Sequence, residues 1–120
     1  MKQLQDFSKT YQKELNFHVK DSSYERCKAS LLMNHMLLTT EVAEVAELLR
    51  EMVNDTEKQI ANGINEMDAL NAAKAKVSDE IGKEISDCLA YLCKLANFFE
   101  RDMESDFYNK MEEVKNRFNK

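Results

Sequence analysis

The sequence contains no proline and only 2 glycines among 120 residues. With almost nothing to interrupt a regular backbone, it is free to form long helices. It also lacks a hydrophobic run of transmembrane length, and no apolar core of a secretion signal stands near its N-terminus. Neither an internal repeat nor a low-complexity linker is visible. Cysteine is sparse: Cys27, Cys88 and Cys93 form an odd set without metal-ligand spacing. That pattern predicts reduced thiols and a cytoplasmic protein. Cys88 and Cys93 point in well-separated directions on one helix, so they read as small core residues rather than a bridge. Basic charge is in deficit, with 17 Lys and Arg against 22 Asp and Glu and a net charge of -5. That balance argues against nucleic-acid binding by a basic face. It does not exclude a triphosphate, provided that metal ions carry the attraction.

What is present favours helix. Ala, Leu, Glu, Lys and Met, all good helix formers, are abundant. The length suits one domain with one core, residues 1–120, and the fold class expected is all-α. From Lys2 to about Val19, Leu4, Phe7, Tyr11 and Leu15 keep helical spacing. His18 reads as a surface residue in the loop that follows and receives no role. Ser22 and Glu25 form a capping box that opens a helix running to about Val53. Its core stripe is Leu31, Leu38, Val42, Val45, Leu49 and Met52. Asn54-Asp55-Thr56 then breaks the pattern, and Gly63 is a helix stop. Thr56 with Gln59 is a second capping box, and within the excursion 54–78 residues 56–62 and 66–77 read as short, weakly apolar helices or a helical arm. Ser78 or Asp79 caps the next helix, to about residue 99, with Ile81, Ile85, Cys88, Leu92, Leu95 and Phe99 as its stripe. Gly82 inside it suggests a close helix crossing. Asp102 or Ser105 starts the last helix, whose Met103, Phe107, Met111, Val114 and Phe118 form a buried stripe.

Two short segments carry the chemistry. Glu41-Val42-Ala43-Glu44 and Glu84-Ile85-Ser86-Asp87 each hold two acidic residues three apart. On a helix such residues share a face. A single pair of this kind is ordinarily a solvated surface. Here both pairs border the strongest apolar stripes, where idle carboxylates are costly. The positions four residues on are Val45, Leu48, Cys88 and Tyr91, so no local cation neutralises them. If the two helices pack together, four carboxylates converge and repel unless a cation lies between them. An all-oxygen site of that kind suits Mg²⁺, Mn²⁺ or Ca²⁺. His35 lies well off the Glu41 face and reads as a satisfied or exposed histidine, not a ligand.

Glu41-xx-Glu44 followed by Glu84-xx-Asp87 resembles the ExxE…ExxD signature of the MazG-like, all-α nucleoside triphosphate pyrophosphohydrolases. Leu38–Leu48 looks like the first motif helix of that superfamily, and Asp79–Ala96 like the second. Lys110–Phe118 is similar to its closing segment. The resemblance covers residues 30–118. It implies an antiparallel four-helix-type bundle, with a helical excursion between the motif helices and completion by a homodimer or dimer of dimers. The long apolar stripes of so short a chain point to a partner subunit as well.

The resemblance also implies a site. Glu41, Glu44, Glu84 and Asp87 match the Mg²⁺ ligands, with Mn²⁺ a possible substitute. Tyr91 matches an aromatic position that lies beside the base or sugar in deoxycytidine-type relatives, which makes pyrimidine deoxynucleotides the first substrates to try. A half-buried interface aromatic is the other reading of Tyr91. Asn109, Lys110, Lys115, Asn116 and Arg117 are candidates for phosphate contacts, Lys115 and Asn116 among them. The implied reaction is hydrolysis of a (deoxy)nucleoside triphosphate to the monophosphate and pyrophosphate, with Glu44 or Glu84 as general base. Two alternatives stand beside it: a phosphoribosyl-ATP pyrophosphohydrolase, and a non-enzymatic helical interaction protein whose acids are merely solvated. Two features depart from the superfamily pattern. The interval between Glu44 and Glu84 is long, and Thr40 stands where many members carry another glutamate.

Overall fold

Helix is the only regular structure that the described residues, 1–119, adopt in the computed structural model. Its elements are α1 (Lys2–Glu14), α2 (Tyr24–Ala61), α3 (Glu66–Phe98) and α4 (Met103–Phe118). The chain gathers into two compact units, Met36–Leu89 and Met1–His35 with Ala90–Lys120.

The unit Met36–Leu89 is a helical hairpin made from the later turns of α2 and the earlier turns of α3. Its turn is built as the sequence suggests at one point and differently at others. Gly63 adopts a left-handed φ of 91°, a conformation open to glycine without penalty. Its N–H bonds the Ile60 carbonyl at 2.9 Å, and Ile64 N–H bonds the Gln59 carbonyl at 3.1 Å, which closes the end of α2. Asn65 opens α3, its Oδ1 accepting from Met67 N–H at 3.0 Å and Asp68 N–H at 3.3 Å.

Asn54-Asp55-Thr56 does not break α2. Thr56 turns its hydroxyl back onto the Met52 carbonyl at 2.7 Å, which satisfies it inside a helix and removes it as a cap. Ser78 and Asp79 likewise lie within α3 and cap nothing. Of the two readings of residues 54–78, the helical arm is the one observed: they are the far ends of the two motif helices and the turn between them, not separate short helices. Buried Ala69, Ala73 and Val77 recur every four residues along α3 and give the hairpin a narrow seam. Lys76 pairs with Asp55 across it at 3.3 Å. A methyl group added at Gly82 would meet no atom within 4 Å, so no close crossing explains this glycine.

In the other unit, α1 stops at Glu14 rather than near Val19, because Asn16 takes a left-handed φ of 59° and Phe17 N–H folds back to the Gln12 carbonyl at 2.7 Å. Ser23, not Ser22, caps α2, its Oγ accepting from Arg26 N–H at 3.2 Å. Asp102 caps α4 through bonds from Glu104 N–H at 3.1 Å and Ser105 N–H at 3.3 Å. What α1 turns inward is polar: Gln5 and Gln12 are buried. Gln5 donates to Asn97 Oδ1 at 2.9 Å and accepts from Met103 N–H at 2.9 Å, and Gln12 donates to the Ala90 carbonyl at 3.1 Å. The apolar stripe of α1 consequently faces out, with Phe7 67% exposed and stacked on Tyr11 at 5.7 Å.

The same inversion corrects the other stripes. On α4, Phe107, Met111 and Phe118 are exposed; on α3, Ile85 and Leu92, with Phe99 just past its end; on α2, Val42 and Leu49. Among the described residues, the buried apolar side chains are Val19, Ala69, Ala73, Val77 and Cys93. Periodicity identifies an apolar face; it does not say that the chain itself covers that face. No described helix is long and apolar enough to cross a membrane.

Candidate metal centre

The hairpin is antiparallel, so moving away from the turn along α2 is matched by moving away from it along α3. Asp55 meets Lys76 near the tip. Further from the tip, Glu41 of α2 meets Glu84 and Asp87 of α3, and one carboxylate oxygen from each lies within 4.8 Å of the others. Glu84 and Asp87 share a face because they are three residues apart on one helix. Glu41 and Glu84 are half-buried and Asp87 is exposed.

Charge at this point is uncompensated. Among the described residues no lysine or arginine pairs with these three acids. Three cations of the unit are engaged elsewhere: Arg50 with Glu47 at 3.2 Å, Lys76 with Asp55 at 3.3 Å and Lys83 with Glu80 at 3.4 Å. Glu84 Oε2 is buried without a hydrogen-bond partner. The Glu84 carboxyl is held above its ordinary range, first by hydrogen bonding with Glu41, then by burial, then by the charges of Glu41, Asp87 and Glu80. Two carboxylates drawn this close need a proton or a cation between them. Half-buried carboxylate oxygens with a free valence fit a hard divalent ion such as Mg²⁺, which retains several waters and takes few protein ligands. Cys88 does not compete as a ligand: burial and the charges of Glu41, Glu84 and Asp87 push its thiol up and keep it protonated.

Glu44 stands apart from the three. It is exposed and lines, with Glu84, a neighbouring cleft of about 490 Å³ together with Glu47, Leu48, Arg50, Glu51, Asn54 and Glu80. The expected four-way convergence is therefore a cluster of Glu41, Glu84 and Asp87 with Glu44 one turn nearer the tip. Glu44 advances along α2 by a turn while Glu80, not Asp87, is the α3 acid advanced in the same direction. Glu80, Glu51 and Asn54 join the cleft although the acidic pairs do not point to them as site residues. A signal for two of them is present in the spacing: Glu80 precedes Glu84 by four residues, and Glu51 follows Glu44 by seven.

The remaining candidates belong to the other unit. Tyr91 is half-buried, with Lys94 Nζ 5.0 Å from its ring centroid. Asn109, Lys110, Lys115, Asn116 and Arg117 are exposed on α4, Lys110 in an ion pair with Glu113 at 3.5 Å. Thr40 is exposed and donates to the Met36 carbonyl at 3.1 Å, so its hydroxyl does not replace an acidic ligand. His35 is exposed and outside the acidic cluster, while His18 is half-buried with Nδ1 enclosed rather than lying on the surface. No protein-family model matches the chain, and no curated protein or solved structure matches it either.

Proposed function

We propose that the chain is a Mg²⁺-dependent nucleoside triphosphate pyrophosphohydrolase that converts a (deoxy)nucleoside triphosphate and water to the monophosphate and pyrophosphate. The observation that carries this reading is the buried, unpartnered Glu84 Oε2 beside Glu41 and Asp87, with no basic side chain among the described residues to balance them. Glu41, Glu84 and Asp87 would hold the ion, and Mn²⁺ would serve in its place. When bound, the ion supplies charge neutralisation and orientation for a polyphosphate. The protein contributes the rest. α2 and α3 hold the donors at fixed spacing, and the adjoining cleft gives room beside them. Glu44, close to Glu84 but outside the three-acid set, is the carboxylate best placed to take a proton from an attacking water.

Tyr91 is assigned to the base or sugar, and Lys115 and Asn116 to phosphate, on the strength of the sequence resemblance. The exposed apolar stripes of α1 and α4 support a homodimer or dimer of dimers that completes a four-helix-type bundle. Three free thiols fit a reducing, cytoplasmic setting. The test is pyrophosphate release from a panel of nucleotides, with Mg²⁺ and with EDTA. Asp87→Asn is expected to lower kcat/KM by at least about a hundredfold, the scale of losing one charged group that acts in the transition state. Its helical circular dichroism should be unchanged. Equal release in EDTA, or an active Asp87→Asn enzyme, would overturn the assignment.

A further inference from the structure

The unit that holds α1 and α4 contains a second polar cleft, of about 220 Å³, with Lys9, Lys13 and Lys94 on its walls together with His18 and Asn97. Two of the buried polar atoms left without a partner belong to it: Asn97 Nδ2 and His18 Nδ1.

The orientation of Asn97 is fixed by its neighbours. Met103 N–H donates to Gln5 Oε1 at 2.9 Å, so the other end of that side chain is its NH₂. Gln5 Nε2 donates to the Arg101 carbonyl at 2.5 Å and to Asn97 Oδ1 at 2.9 Å. Asn97 must therefore present its oxygen to Gln5 and keep its NH₂ for something else. A buried NH₂ with no acceptor costs free energy, and this one belongs to a residue on the wall of a cleft that three lysines also line.

Among the described residues no carboxylate pairs with the lysines around it, though Lys94 Nζ lies 5.0 Å from the Tyr91 ring centroid. Asp21 and Glu100 also line the cleft, but neither makes an ion pair with Lys9, Lys13 or Lys94 among the described residues. Lys94 is held below its ordinary range by burial and by the charge of Lys20. Lys20 is itself fixed by donating to the Asn16 carbonyl at 2.5 Å and Asn16 Oδ1 at 2.8 Å. The loop is anchored at the same place by buried Val19 and by Lys20 N–H on Ser30 Oγ at 3.1 Å. The walls of the cleft thus combine three lysines with two side chains, Asn97 and His18, that each hold an enclosed nitrogen lacking an acceptor.

We infer that this cleft is an anion site for a phosphate group, separate from the acidic cluster of the hairpin and needing no metal. A tetrahedral oxyanion accepts from several directions at once, and lysines serve phosphate as point charges. The cleft is too small and too polar to be read as an apolar ligand pocket.

The probe is inorganic phosphate, titrated calorimetrically into the full chain at low ionic strength with EDTA present, so that any ion at Glu41, Glu84 and Asp87 is removed. Failure of nucleotide hydrolysis and failure of this site are then separate results. Saturable binding is expected, weakened about tenfold by Lys94→Gln, the worth of one charge-assisted hydrogen bond. Asn97→Asp keeps the acceptor that Gln5 needs and replaces the free donor with a repelling oxygen, so it should abolish binding. Lys58→Gln, exposed on the hairpin and outside the cleft, should leave it unchanged. If Asn97→Asp does not fold, Lys94→Gln and Lys13→Gln decide. No saturable heat, or equal affinity in Lys94→Gln, Lys13→Gln and Lys58→Gln, would overturn the inference.

Discussion

Glu84 is where sequence, geometry and electrostatics meet. Its carboxyl is raised above the ordinary value of 4.5 by its closeness to Glu41, by burial and by the surrounding acids. A carboxyl raised in the folded state binds its proton more readily there than in the unfolded chain. Its contribution to stability is therefore fully present below 4.5 and lost as pH rises through the raised value. At neutral pH without a cation, ionised Glu84 is a local liability. In EDTA, the melting temperature of the wild type should fall across that window more than that of Glu84→Gln, which has no charge to lose. Adding Mg²⁺ at neutral pH should raise the melting temperature of the wild type and leave Glu84→Gln unmoved, because a ligand that binds only the native state stabilises it by mass action. Thermal melts at several pH values, with EDTA and with Mg²⁺, make the comparison. A Glu84→Gln protein that still responds to Mg²⁺ would remove Glu84 from the ligand set.

At the scale of the element, the two glycines are opposites. Gly63 sits at φ 91° where α2 ends, with open space around it. Any L-residue there is strained by its own backbone, so Gly63→Ala should destabilise by about 1 kcal/mol. Gly82 lies within α3, in helical conformation, with nothing near a would-be methyl group. Gly82→Ala should stabilise by about 0.5–1 kcal/mol through helix propensity and a less flexible unfolded chain. Urea unfolding of the two variants checks both signs, and a destabilised Gly82→Ala would show that the surface of α3 is not open at that position. These positions also show what can be read in advance. The helix stop at Gly63 is legible because left-handed backbone has a strong residue preference. The continuity of α2 through Asn54-Asp55-Thr56 and of α3 through Ser78-Asp79 is not. Asn, Asp, Ser and Thr cap helices and also sit inside them, and only the Thr56–Met52 bond distinguishes the two. The acidic pairs are legible from i, i+3 spacing. That Glu41, Glu84 and Asp87 cluster while Glu44 does not depends on helix register, which one helix's periodicity does not contain.

At the scale of the molecule, the apolar surface sets the problem. A chain of 120 residues ordinarily buries its larger side chains, yet among the described residues the largest fully buried one is Cys93. Phe7, Tyr11, Phe107 and Met111 are exposed on α1 and α4, two helices that touch each other in the same unit. Contiguous aromatic and methionine side chains on helices are what subunit interfaces are made of. An isologous contact between two copies would remove them from water by symmetry, with no second protein required. Light scattering should accordingly report a mass of at least two chains of 14.0 kDa. Phe7→Glu combined with Phe107→Glu should shift the mass towards one chain, since each charge would be buried in the contact twice over. The same substitutions on a monomer would only improve solubility, because both side chains are already in water. A wild-type protein that stays monomeric at high concentration, with its helices intact, would leave these faces for a different partner and end the proposal of self-association.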